Sequence, residues 1–246
     1  MRGMLLILST SVLATSFLSG IFGMAGGMVL MGILLALLSV EKAMVNHGVA
    51  QFASNGWRAV LWWRHIDWRV FRGYALGAAL VLAAMLALQV TLSRPAVMVV
   101  LGLTPFLAFL LPARWQLNVD RTGHAFGCGL VCMGVQMLSG VSGPLLDTFF
   151  VRSAMTRHQV VSTKAAVQTL SHALRIVFFG ALLASSDQPL GAGLALLLVV
   201  SAIAGTSASK LVLDRITDKH FRQVTQRLVL VLGGCYLVAG VWLLLA

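Results

Sequence analysis

Long stretches without a charged residue alternate with short polar segments along the 246 residues. Asp, Glu, Lys and Arg are all missing from 3–40, 73–93, 95–113, 122–146, 188–209 and 228–246. An uncharged apolar run of about 18 residues or more is long enough to cross a bilayer as an α-helix. The pattern predicts an all-α, polytopic integral membrane helix bundle. The predicted crossings are 43–64, 68–92, 95–112, 158–183, 188–209 and 224–245.

Two glycine-rich breaks interrupt this pattern. As one helix, residues 3–40 would extend about 57 Å, whereas the hydrocarbon core of a bilayer is about 30 Å thick. One break divides this first run at 20–27 (GIFGMAGG), and the other lies at 140–144 (GVSGP). We expect each break to be the tip of a Gly-broken hairpin, either re-entrant or a discontinuous span.

The breaks belong to an internal repeat with an offset of 117 residues. A gapless alignment pairs Gly23 with Gly140 and residues 49–60 with 166–177, where four of the twelve positions are identical. Three of these identities are polar, although polar residues are scarce in such a chain. We predict a first transmembrane repeat at 1–115, a linker at 116–123 and a second repeat at 124–246. Three crossings in each half make the two repeats inverted, a common plan of transporters.

The loop charges agree with inverted repeats. The chain has 18 Lys and Arg against 7 Asp and Glu, a net charge of +11. In this topology, one side carries only Arg2, Lys42 and Arg94. The other side carries Arg64, Arg69, Arg72, Arg114, Arg121, Arg152, Arg157, Lys210, Arg215, Lys219, Arg222 and Arg227. The positive-inside rule makes the second side cytoplasmic, so the charge needs no nucleic acid partner.

Composition narrows the function classes further. With 59% hydrophobic and 10% charged residues, the chain is not an ordinary soluble enzyme, a disordered protein or a disulfide scaffold. Cys128 and Cys132 share a helix face, but no His or acid clusters beside them, so we expect neither a metal site nor a cofactor.

No phosphate-binding G-x-x-x-x-G-K-[ST] motif is present. Transport would therefore be passive or driven by an ion gradient, unless a separate subunit supplies the energy.

A polar stripe follows each break. The residues recur at i, i+4, i+7 or i+8, and i+11, which is one face of a helix. The two stripes are His47, Gln51, Ser54, Asn55 and Arg58 in the first half, and Lys164, Gln168, Ser171, His172 and Arg175 in the second. An ionisable group at membrane depth costs about 2.5–3.5 kcal/mol, so the stripes predict a central polar cavity between the halves. The alternative is that they only form hydrogen bonds between helices.

The excess of cations in the stripes predicts an anionic substrate. The breaks add to this, because helix N-termini attract anions. All stripe residues except Ser54 are predicted to bind substrate. The break residues predicted to bind it with them are Gly23, Ala25, Gly26, Gly27, Gly140, Ser142, Gly143 and Pro144. Asp147, the only acid in the apolar stretches, is either an ion-pair partner of Lys164 or Arg175, or a proton-coupling carboxylate. If an ion gradient drives transport, the candidate ions are a proton and sodium, and the histidines are further candidates for carrying the proton.

These motifs resemble the sulfite exporter TauE/SafE family of the toluene sulfonate uptake permease group. The first Gly-rich break, the GVSGP break at 140–144 and the TKAAVQT segment at 163–169, followed by His172, carry the resemblance over essentially the whole chain. It implies a secondary transporter, an exporter or permease, for sulfite, a sulfonate or another small organic anion. It also implies a bacterial inner membrane protein that works by alternating access.

Three other functions fit parts of the pattern. An anion channel would share the cavity without alternating access. A membrane enzyme could use His47 or His172, but no loop carries a nucleophile, base and acid together, so we do not expect an enzyme. A structural membrane subunit would not need the cations Lys164 and Arg175.

Overall fold

The computed structural model describes residues 2–22, 24–110, 117–185, 191–213 and 218–245. These ranges hold ten α-helices and no strand, so the all-α fold class is confirmed. In the first half the helices are α1 (Arg2–Phe22), α2 (Met24–Leu37), α3 (Val40–Leu61), α4 (Trp68–Leu88) and α5 (Arg94–Leu110). In the second half they are α6 (His124–Ser139), α7 (Gly143–Phe150), α8 (Arg157–Ser185), α9 (Ala192–Leu213) and α10 (Asp218–Leu245).

The described helices suit a membrane. Five segments are long and apolar enough to cross one, namely Gly3–Ile21, Trp68–Leu88, Arg157–Ser185, Ala192–Ser209 and Val224–Leu245. Large apolar side chains are exposed on the outer faces of the bundle, for example Leu76 and Val238. Such a continuous apolar exterior is typical of a protein whose solvent is lipid.

Local signals set the helix ends. Ser39 caps α3 by accepting a hydrogen bond from Lys42 N, and Asp67 caps α4 by accepting from Arg69 N at 2.9 Å. α4 ends at Leu88, before the predicted end of its crossing, because Gln89 takes a left-handed conformation with φ 50° and closes the last turn. The helices at the other predicted crossings begin within six residues of the predicted starts. Two of them, α3 and α5, are not among the five segments that are long and apolar enough to cross a membrane.

The first break folds the chain back on itself. A Cβ added at Gly26 would meet Thr15 O and would lie 2.5 Å from Ser19 N. In a straight helix, seven to eleven residues would separate these groups by about 10–16 Å along the axis. α1 and α2 therefore form a helical hairpin around residue 23. The predicted site residue Gly23 itself lies outside the described residues, and a re-entrant path through the membrane stays a prediction.

The two halves pack in equivalent pairs. At the offset of 117, α1–α5 correspond to α6–α10. α1 packs on α9 while α6 packs on α4, and α3 packs on α8 while α5 packs on α10. Gly48 of α3 lies beside Ile176 of α8, and Gly56 lies beside Thr169. The equivalent helices α3 and α8 thus run antiparallel, which is what inverted repeats require. The exact limits of the repeats stay a prediction.

Candidate functional site

A chain of hydrogen bonds joins the two breaks through the two polar stripes. Arg175 of α8 donates from Nη1 to the carbonyl oxygen of Gly140 and from Nη2 to His47 Nδ1 at 2.6 Å. His47 Nε2 lies 2.9 Å from the carbonyl oxygen of Gly27, in the first turn of α2. A carbonyl can only accept, so the Nε2 hydrogen of His47 donates to Gly27 and Nδ1 accepts from Arg175. These partners fit a neutral His47.

Arg175 brings a buried charge into this chain of neutral groups. Its side chain is 0% exposed, and in the described part of the chain its Nε has no hydrogen-bond partner. The ion pair between described residues is formed by Lys164 and Asp147, not by Arg175. A guanidinium stays protonated in proteins, and a buried cation without a counter-ion costs several kcal/mol. The centre of the bundle therefore favours an anion.

Gly140 allows the backbone to approach this guanidinium. Its φ is +82°, in the left-handed region that favours glycine. A Cβ at this position would lie 2.9 Å from Arg175 Nη1 and would overlap the methyl group of Met31. The glycine of the second break is thus required by both backbone conformation and space.

A second network lies beside the first. Ser142 Oγ donates to Gln136 Oε1 at 2.8 Å, and Gln136 Nε2 lies 3.2 Å from His172 Nδ1. Because an amide nitrogen only donates, His172 Nδ1 accepts this bond. All three side chains are buried, and the ring centroids of His172 and His47 are 5.8 Å apart. Sequence reasoning missed Gln136, although it is the only glutamine in the uncharged run 122–146.

The N-termini of the two short helices meet at the breaks. α2 begins at Met24 and α7 begins at Gly143, and a Cβ at Gly143 would lie 2.7 Å from Met24 Cβ. Pro144 stands in the first turn of α7, as its missing N–H allows. The positive ends of both helices are thereby brought together. Ala25, Gly26 and Gly27 are buried in the first turn of α2.

Lys164 does not join Arg175. Lys164 Nζ contacts the carboxylate of Asp147, with side chains that are 25% and 40% exposed. Of the two partners expected for Asp147, the structure shows Lys164. Eleven residues separate Lys164 from Arg175 on α8, which is about 16 Å along the helix axis. The predicted cations thus occupy two levels of the bundle.

The remaining stripe residues divide between centre and periphery. Gln51 Nε2 is buried without a partner in the described chain and would lie 3.3 Å from a Cβ at Gly27. Asn55 Nδ2 donates to Gln51 Oε1 at 3.3 Å, which holds that amide in place. Gln168 and Arg58 are half-buried, and among the described residues Arg58 has no hydrogen bond. Arg58 is the repeat equivalent of Arg175, so the two repeats place their equivalent arginines in different environments.

The two stripe serines bond to neighbouring helices. Ser54 Oγ lies 2.7 Å from Thr206 Oγ1 on α9, and Ser171 Oγ lies 2.7 Å from the Tyr74 hydroxyl on α4. These contacts match the alternative in which polar stripe residues hold helices together. The predicted role of Ser171 in binding substrate gains no support from this placement.

The stripe on α8 becomes more buried along its length. Lys164 and Gln168 are partly exposed, whereas His172 and Arg175 are buried. The neighbour of Lys164, Thr163, accepts a hydrogen bond from Asp67 N at 2.9 Å. This places Lys164 near the 62–67 loop, on the side with Arg64, Arg69 and Arg72. The more exposed end of the α8 stripe therefore lies on the basic side.

The described parts of the chain contain no cluster of metal ligands. Within them, no three His, Cys, Asp or Glu side chains lie close enough to hold a metal ion together. Cys128 Sγ and Cys132 Sγ lie 3.8 Å apart on one face of α6, as their spacing predicts. Both sulfur atoms are buried.

Comparison with known proteins decides the family. The model of the sulfite exporter TauE/SafE family matches residues 7–236. The chain belongs to this family. Searches of curated proteins and of solved structures gave no match. As a TauE/SafE member, the protein is an integral membrane transporter of the sulfite or anion exporter type and not an enzyme. Its partners are a small anion and the lipid bilayer.

Proposed function

We propose that this TauE/SafE protein carries one small oxyanion at a time between its two breaks by alternating access. The observation that carries this proposal is Arg175, which is fully buried, has neutral partners and has no partner for its Nε among the described residues. We further propose that the anion is sulfite, a sulfonate or another small organic anion. As an exporter or permease, the protein would lie in a bacterial inner membrane.

The buried groups at Arg175 that lack a hydrogen-bond partner among the described residues are donors. Arg175 Nε and Gln51 Nε2 are buried without partners in the described residues. The first-turn N–H groups of α2 and α7 add backbone donors at the same place. Charged and neutral donors arranged together suit an oxyanion, whose oxygens accept several hydrogen bonds. Gln51, Arg175 and the two breaks would form the innermost site.

Burial of the centre favours a carrier over a channel. His47, Ser142 and Arg175 are at most 2% exposed and hydrogen-bond within the bundle. An anion reaches these groups only when the packing around them changes. Rocking of one repeat against the other provides such a change in transporters built from inverted repeats. Lys164 and Gln168 would then be the first contacts of an anion that enters from the basic side.

Binding to purified protein tests this function. Sulfite, methanesulfonate and sulfate should each be compared with chloride at equal ionic strength in a thermal unfolding assay. A bound oxyanion raises the melting temperature as RT ln(1+[L]/Kd). We expect Arg175→Gln to abolish this rise, whereas Arg72→Gln, at an exposed position on α4, should retain it. A rise with cations alone, or an unchanged rise in Arg175→Gln, would refute the proposed site.

Transport measurements in proteoliposomes distinguish a carrier from an anion channel. A carrier loaded inside with unlabelled anion should take up labelled anion by saturable counterflow. A channel would instead give a current that grows linearly with voltage. Arg175→Gln should lose counterflow, with Arg72→Gln as the matched control.

A further inference from the structure

We propose that Gln136 is a positioning residue that couples a proton on His172 to the hydroxyl of Ser142, so that each anion is bound together with one proton. This inference rests on the proposed function, because it needs an anion at the breaks. It assigns the proton to His172 rather than to Asp147, whose carboxylate already contacts Lys164.

The observed hydrogen bonds define the unprotonated state. Gln136 stands between two partners, with Oε1 accepting from Ser142 Oγ at 2.8 Å and Nε2 donating to His172 Nδ1 at 3.2 Å. In this arrangement the Ser142 hydroxyl hydrogen is used by Gln136. It is not available to a ligand at the break.

A proton on His172 reverses both hydrogen bonds. When water delivers a proton to Nδ1, this nitrogen becomes a donor and needs an acceptor. Rotation of the Gln136 amide presents Oε1 to His172 and Nε2 to Ser142. Ser142 Oγ then accepts, and its hydrogen turns away toward a new acceptor. One N–H bond forms on His172, no other covalent bond changes, and a donor is released at the break.

The position of Ser142 makes this donor useful. Ser142 immediately precedes α7, whose first residue, Gly143, packs against Met24 at the start of α2. The released hydroxyl thus joins the backbone N–H groups where the two helix N-termini meet. An oxyanion there accepts the new hydrogen bond.

The charges around His172 make the anion and the proton depend on each other. Arg175 lies one turn further along α8, His47 faces His172 from α3, and on α4 Tyr74 contacts the neighbouring Ser171. None of these groups supplies a negative charge. A proton on His172 therefore places a second positive charge near Arg175. Only a bound anion compensates this charge. By linkage, the proton strengthens anion binding to the same degree as the anion strengthens proton binding.

Calorimetry with methanesulfonate tests the coupling, because the charge of this anion is constant between about pH 5.5 and 8.5 while histidine titrates in this range. In the wild-type protein, we expect up to one proton taken up per anion bound at those pH values at which His172 is neutral in the empty protein and protonated in the loaded protein. The Kd should rise by up to about tenfold per pH unit there. His172→Gln and Gln136→Met should bind without proton uptake and with a Kd that is independent of pH. Asp147→Asn is the control and should keep both effects.

The outcomes separate this inference from the proposed function. Anion binding by the wild-type protein without proton uptake would overturn the coupling and leave the anion site intact. Coupling that is lost in Asp147→Asn but kept in His172→Gln would assign the proton to Asp147 and also overturn it. If only Gln136→Met kept the coupling, the role of Gln136 would be refuted. Failure of any anion to bind at any pH would refute the proposed function itself.

Discussion

At the residue scale, two arginines at equivalent positions of the repeat have different environments. Arg175 is 0% exposed and joins the breaks, whereas Arg58 is half-buried and, among the described residues, without a hydrogen bond. The difference arises from their partners, because Gly140 offers its carbonyl and His47 its ring nitrogen to Arg175. A cation is retained at this depth only where such partners replace water.

Gly140 provides a test at this scale. Gly140→Ala should lower the free energy of unfolding by more than about 1 kcal/mol, because alanine is strained at a positive φ and its methyl group would overlap Met31. Anion binding should also weaken, since the carbonyl that holds Arg175 would move. Gly127→Ala on α6 is the control, because its Cβ meets nothing within 4 Å. If both variants had the same free energy of unfolding in a denaturant titration, the role of Gly140 would be contradicted.

At the element scale, glycines hold equivalent helix pairs at short distance. A Cβ at Gly77 of α4 would overlap Phe126 O of α6, and a Cβ at Gly205 of α9 would overlap Leu13 O of α1. Lipid provides no hydrophobic force between helices, so such close backbone packing contributes to their association. The two interfaces are equivalent in the repeat, and they flank the α3/α8 pair.

We therefore expect Gly77→Ala and Gly205→Ala to destabilise the bundle to a similar degree, by about 1–3 kcal/mol each. The added methyl group would push the paired backbones apart. Unfolding in mixed micelles that contain a rising fraction of denaturing detergent measures the loss in free energy of unfolding. Gly134→Ala on α6, with nothing within 4 Å of its Cβ, should be neutral or slightly stabilising. A large effect in only one of the two interfaces would contradict their equivalence.

At the scale of the whole molecule, the two polar stripes differ in burial. The repeat-equivalent glutamines show this, since Gln168 is half-buried on α8 and Gln51 is 7% exposed on α3. In inverted repeats, the two positions lie on opposite sides of the centre. In the cycle proposed above, this conformation would be the one that receives an anion from the basic side, and the other end state would expose Gln51 instead.

Thiol labelling tests both the topology and this state. In a Cys235→Ala background, which removes the exposed native thiol, Gln168→Cys should react with a membrane-impermeant reagent in inside-out vesicles. Gln51→Cys should react slowly there, and should react from the outer face when an anion gradient drives the cycle. Labelling of both positions from the same face would refute inverted repeats and alternating access together.

The sequence predicted much of the fold because its signals are local. Uncharged runs and the glycine breaks depend on neighbouring residues, and the helices follow them. Helical periodicity also identified His47 and Arg175. It could not decide between Lys164 and Arg175 as the partner of Asp147, or tell that Arg58 stays apart from Arg175. Those outcomes depend on how α3 and α8 are aligned, and the role of Gln136 depends on a third helix.

The neutral partners of Arg175 also determine how the membrane potential acts on the transporter. Empty, the centre carries one net positive charge. With a divalent anion and the proton proposed on His172, the net charge of the centre is zero, so the movement of the loaded site across the membrane is electroneutral. In the proposed cycle, the return of the empty site would then move charge through the field, worth up to about 2.3 kcal/mol per 100 mV. An interior-negative voltage would hold the vacant site facing the cytoplasm, which is the orientation from which an exporter would load its cargo.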